Sequence, residues 1–137
     1  MLDTNALSEP QRPKPDPGYM AWVAAQDEGD LATSAVVYGE LKRGALNLPF
    51  GTRRVALETW LTEAVASFGH RLLPIDTRVA ATWAELSVRH RRGGRTVLIT
   101  DELIAATALA HGLAVVTRNV RDFQASGCEI VSPWMTQ

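Results

Sequence analysis

Between residues 35 and 112 the apolar positions recur at three- and four-residue spacing, the period of a helix with one buried face. Val36, Val37, Leu41 and Ala45 predict a helix running up to Pro49 and carrying Glu40, with Thr33 or Ser34 as its cap. Thr52–Phe68 reads as a second amphipathic helix, with Val55, Leu57, Trp60, Leu61, Ala64 and Val65 as its buried stripe and Gly69 as its stop. Asp76 or Thr77 is placed to cap a third over residues 78–92, closed by Gly93 and Gly94. A fourth starts near Thr100 and passes through Ile104, Ala105, Ala108 and Leu109 to Gly112. Between these lie short apolar runs bounded by Gly, Pro or Asp, at residues 31–34, 71–75 and 113–117, with residues 129–131 as a last edge strand before Pro133 and Trp134. Short strands alternating with longer helices predict an α/β fold with a parallel sheet and helices on its faces.

The opening residues are less regular. Met1 and Leu2 lead at once to Asp3, leaving almost no room for a first strand, an opening that a native chain with residues before Met1 would explain. Residues 5–9 fit one helical turn, while three prolines within residues 11–18 predict an extended loop. Residues 19–26 then read as a short helix with Trp22 and Val23 inward, and Gly29 and Asp30 as a turn.

Composition narrows the class. At 137 residues and 46% hydrophobic, the whole of 1–137 is expected to be one domain with a core large enough to need no disulfide or structural metal. The single Cys128 agrees, and a reducing, cytoplasmic setting is expected. A net charge of −1 excludes the strongly basic balance of a non-specific duplex binder. No run approaches the ~20 apolar residues of a membrane span, and no export signal opens the chain, so no membrane association is expected.

Chemistry concentrates in acids. Asp3 follows the first apolar residues, Asp101 opens a helix, Asp122 lies just past a strand end, and Glu40 sits one turn into the helix after the second strand. Open α/β sheets bind ligands outside the carboxyl ends of their strands, where these four would meet. Gathered carboxylates repel one another unless a cation sits among them, and all-oxygen donors select Mg²⁺ or Mn²⁺ over Zn²⁺. Metal-dependent phosphodiester hydrolysis is the chemistry this arrangement suits. Singly, each acid has a plainer use: Asp3 and Asp101 as helix-end residues, Glu40 on a solvated face beside Lys42 and Arg43, Asp122 in a surface pair with Arg118 or Arg121. Arg89, His90, Arg91, Arg92 and Arg95 form one basic cluster that suits either RNA phosphates or a solvated helix end, and Lys42, Arg43, Arg53 and Arg54 are similar. His70, His90 and His111 lack metal-ligand spacing, and Trp60 and Trp83 read as core packing or, second, a helix-mediated dimer interface.

Several blocks together carry a resemblance: Leu2-Asp3-Thr4-Asn5 with Ser8-Glu9; Thr33-Ser34-Ala35 leading to Gly39-Glu40-Leu41; residues 101–108; Val116-Thr117-Arg118-Asn119 with Asp122-Phe123; and Pro133-Trp134. In this order they resemble the PIN-domain ribonucleases, specifically VapC toxins of the FitB-like branch from bacterial toxin-antitoxin pairs. The resemblance implies a three-layer fold, a parallel sheet sandwiched by helices. It also implies metal-binding acids at Asp3, Glu40 and Asp101, and supporting polar residues at Asn5 and Thr117. The family often has aspartate directly after the Thr-Arg pair, where this chain has Asn119, so either Asp122 or Asn119 takes the fourth place. A cognate antitoxin occluding the acidic pocket, a structured RNA target, often transfer RNA, and a homodimer are implied as partners.

Two other readings remain open at this stage. A receiver module would use Asp76 as phosphate acceptor, but this chain lacks a second acid beside Asp3 and has no lysine beyond Lys42. A catalytically silent PIN scaffold that binds RNA or a protein is suggested by Asn119.

Overall fold

The computed structural model describes residues 1–135. Its elements are α1 (Thr4–Ser8), α2 (Pro17–Ala24), β1 (Thr33–Ser34), α3 (Ala35–Leu46), α4 (Thr52–Phe68), β2 (Leu72–Leu73), α5 (Thr77–Arg92), α6 (Ile99–His111), β3 (Val115–Val116), α7 (Val120–Phe123) and β4 (Ile130–Val131). The pairing is parallel throughout, with Thr33 opposite Leu72 in β1/β2 and Val115 opposite Ile130 in β3/β4. The α/β class with a small parallel sheet among helices is therefore present as expected.

The first three residues join the two pairs. Leu2 bridges Val116 in parallel and donates its backbone N–H to Ala32 O, while Val116 N donates to Met1 O and Asp3 N to Val116 O. The Thr33 hydroxyl donates back to Leu2 O. Room for a first strand was the expected difficulty, but a single bridging residue with neighbours on both sides is enough to put Asp3 at the carboxyl edge in the middle of the sheet.

The strands are shorter than the apolar runs because their ends are taken by helix caps. Ser34 ends β1 and accepts from Val37 N, Asp3 accepts from Ala6 N, and Asp76 accepts from Val79 N, so each chain segment turns into a helix as it leaves the sheet edge. Residues 28–30, expected as a simple turn, form one 3₁₀ turn before β1.

The proline segment is shorter than expected. Pro17 stands at the first position of α2, where its missing N–H costs nothing, and Asp16 caps that helix by accepting from Tyr19 N. The helix thus lies at Pro17–Ala24, two residues earlier than the periodicity placed it. Tyr19 is its buried residue, stacked on Trp134 at 4.6 Å between centroids, while Trp22 and Val23 are only half-buried.

Leu2, Leu7, Val37, Leu86, Ile104, Ala105, Val115, Val116 and Phe123 lie in the central core, to which α5, α6 and the sheet all contribute. Along α4 the expected stripe is mostly at the rim: Leu61 alone among its six members is fully buried, and Val55 is 54% exposed. Trp60 and Trp83 are half-buried. Glu9 was expected as the end of a helical turn and stood in the opening block, with no role assigned to it. It is 1% exposed and accepts from Asp16 N at 2.8 Å and Trp134 Nε1 at 3.1 Å, with Arg12 at 3.6 Å. Burial alone would raise its pKa; these hydrogen bonds with the Arg12 and Arg118 charges outweigh burial and hold it below the usual range.

Candidate active site

Asp3 leaves the sheet between β1 and β3 and is 4% exposed. One carboxylate oxygen accepts from Ala6 N at 2.8 Å, and Thr117 and the Asn5 backbone add further hydrogen bonds. Burial is nevertheless the larger effect and, with repulsion from Glu40, raises Asp3 to a pKa of about 6. Thr117, wholly buried at the end of β3, accepts from Asn119 N at 2.9 Å, which leaves its hydroxyl proton for Asp3.

Glu40 faces Asp3 from α3 and is fastened across the gap, because the Thr4 hydroxyl donates to its Oε1 at 2.6 Å. Thr4 was not singled out from the sequence; its position beside Asp3 in the opening block was the available signal. Asp101 lies in the first turn of α6, half-buried. Its pKa is raised to about 6, first by burial and then by Asp122, Glu40 and Asp3. All four acids therefore act on one region, although they come from four elements. Asp122 sits on α7, exposed, and shares with Asp101 a cavity of about 330 Å³.

The plainer uses separate here. Asp101 is not a side-chain cap: the capping position of α6 is Leu98, with no side-chain hydrogen bond. Asp122 is in no ion pair among the described residues. Asp3 does cap α1, so it serves both the helix and the acidic centre. Asn5 contributes its backbone N–H, and among the described residues neither its side chain nor that of Asn119 makes a hydrogen bond. Asp76 is an exposed cap of α5 and is not among the acids that raise Asp101.

The expected basic cluster is dispersed. His90 is buried against Glu102 at 3.2 Å, a link between α5 and α6 that periodicity did not reveal. Arg89 donates to Ser126 O, and Arg95 alone of the group borders the cavity beside Asp101. Lys42 and Arg54 pair with Glu58.

Among the described residues no three of His, Cys, Asp and Glu stand close enough together to hold a metal ion as they are placed. The donor set is nonetheless all oxygen, since the buried histidine is engaged by Glu102 and is not among the groups acting on Asp3 or Asp101. Two carboxyls raised by burial and by neighbouring acids, Glu40 acting on both, are the environment a hard divalent ion relieves, so these residues fit Mg²⁺ or Mn²⁺ in donor type and charge.

A profile of the PIN domain matches residues 1–126. The VapC ribonuclease Y4jK of Sinorhizobium fredii is 36% identical over 98% of this chain and 96% of its own. The toxin FitB of Neisseria gonorrhoeae is 35% identical over 98% of this chain and 97% of its own. The crystal structure of FitAcB from Neisseria gonorrhoeae superposes with a TM-score of 0.91 at 35% identity, covering 98% of this chain and 97% of that one.

Proposed function

Since the chain belongs to the PIN-domain family, we propose that it is the toxin of a toxin-antitoxin pair, a Mg²⁺-dependent endoribonuclease hydrolysing RNA phosphodiester bonds, with Mn²⁺ as an alternative ion. The observation that carries this reading is that Asp3 and Asp101, nearly a hundred residues apart, are both raised to about 6, with Glu40 among the causes of each. No described helix is long and apolar enough to cross a membrane. The reading takes 1–137 as one PIN domain.

In this proposal Asp3, Glu40 and Asp101 would hold the ion, which would supply positive charge to the phosphodiester oxygens and to the attacking water. The chain's own part is orientation. Hydrogen bonds from Thr117, Ala6 N and Asn5 N fix Asp3, and Thr4 fixes Glu40, so neither must reorganise when substrate arrives. Asp122 or Asn119, on the open side, positions the attacking water. The partners proposed are a cognate antitoxin that covers the acidic centre, a structured RNA such as transfer RNA, and a second copy of the chain in a homodimer.

Incubation with total cellular RNA, followed by mapping of the new ends, tests the reading. Discrete Mg²⁺-dependent cuts are expected; full cleavage in EDTA, or none with Mg²⁺ or Mn²⁺, refutes it. Thr4→Val leaves α1 and the core in place but frees Glu40, and is expected to lower kcat about tenfold, partly recovered at high Mg²⁺. A silent scaffold is the second reading, suggested by the uncharged Asn119, and it predicts no Mn²⁺ affinity that depends on Asp3.

A further inference from the structure

The cavity beside Asp101 is lined by Arg95 and Leu98, from the segment between α5 and α6, and by Arg121 and Asp122 of α7. Neither arginine side chain is in a hydrogen bond or ion pair among the described residues, even with Asp122 as chain neighbour of Arg121. The Arg95 backbone is anchored all the same: its N–H donates to His90 O at 2.9 Å, at the foot of the His90–Glu102 link. The result is two guanidiniums without a protein partner among the described residues lining one cavity, one of them on a held backbone.

An acidic centre in a chain of net charge −1 repels a polyanion, so attraction has to be local. Two guanidiniums in the lining of one cavity suit a phosphate, which accepts their paired N–H donors. About 330 Å³ falls within the range of small-ligand sites, and Leu98, 70% exposed, adds an apolar surface for a sugar or base. We propose that this cavity is a nucleotide subsite in which Arg95 and Arg121 hold the phosphate next to the one being cleaved, an inference that rests on the nuclease reading above. The subsite gives the strand its register over Asp101 and Asp122.

The test uses a fluorescein-labelled single-stranded RNA oligonucleotide in EDTA, with anisotropy followed over a KCl series. Arg95→Ala and Arg121→Ala are each expected to weaken binding about tenfold and to reduce the log-log salt slope by about 0.7. Arg121→Lys keeps the slope and loses part of the affinity. Arg91→Ala, exposed on α5 and outside the cavity, changes neither. In Mg²⁺ the two alanine variants raise KM with kcat held. Wild-type affinity and slope in both alanine variants, or no binding by any form, overturns the subsite. Weakened binding without Mg²⁺-dependent cleavage leaves the phosphate site standing and removes the nuclease reading; intact cleavage with unchanged binding does the reverse.

Discussion

Asp101→Asn is expected to abolish RNA cleavage, by about a thousandfold, while leaving the metal-free protein at least as stable as the wild type. The two halves of this result have the same cause. Asp101 caps nothing, since the capping position of α6 is Leu98, without a side-chain cap, and its carboxylate is opposed by burial and by Asp122, Glu40 and Asp3. Removing the charge while keeping the shape relieves that opposition. Because Asp101 is half-buried, solvent screens part of the effect, and the gain is on the order of 1 kcal/mol or less. Asp3→Asn has the same effect on cleavage but touches a residue that also caps α1 and receives the Thr117 hydroxyl, so its melting temperature gains less. Thermal melts in EDTA beside cleavage assays check both. Near-normal cleavage by Asp101→Asn excludes the role given to it, and a clear drop in its melting temperature means that the carboxylate is structural.

The helices and their order were legible because caps and period agree. Thr52–Phe68 is the helix the spacing outlined, and Asp76, one of the two caps expected before residues 78–92, caps α5. Asp3 and Asp101 stood out for a related reason: a parallel sheet turns its carboxyl edge into helix starts, and acids at those points converge. What periodicity misjudged was depth. The stripe on α4 has the spacing of a buried face, yet its main helical neighbour is α3 and most of the stripe is at the rim.

Glu9 was out of reach for another reason. An acid at the end of a five-residue helix gives no local sign of burial, and the partner that makes burial tolerable, Trp134, lies 125 residues away. His90 and Glu102 follow the same logic. His90 read as one member of a basic cluster, and only the packing of α5 on α6 brings it to Glu102. The basic cluster dissolved in consequence, since consecutive residues on a helix point to different neighbours. Side chains whose roles depend on one element could be read in advance; those whose roles depend on a distant partner could not.

Lowering the pH from about 6 to about 5 is expected to strengthen the metal-free protein and to weaken cleavage. Asp3 and Asp101 hold their protons to about 6 when folded, against 3.8 for the ordinary group. In that window the folded state binds more protons than the unfolded one, so stability is present below the window and lost as pH rises through about 6. For buried Asp3 the full span is about 3 kcal/mol as an upper bound, and for Asp101 less because of its exposure. The Met1 amine, lowered to about 6 chiefly by burial, releases a proton on folding and opposes this slope, but two carboxyls outweigh one amine. Cleavage has the other sign, because the protonated carboxyls cannot hold the ion, and log kcat/KM is expected to fall with a slope approaching two below about pH 6. Mg²⁺ at a hundred times its Kd should add about 2.7 kcal/mol at neutral pH and far less at about pH 5. Melting in EDTA and in Mg²⁺ at the two pH values reads all of this. The Asp3→Asn, Asp101→Asn double variant should lose both the acid stabilisation and the Mg²⁺ response; a double variant that kept either would show that the acids are not the groups that bind the proton and the ion.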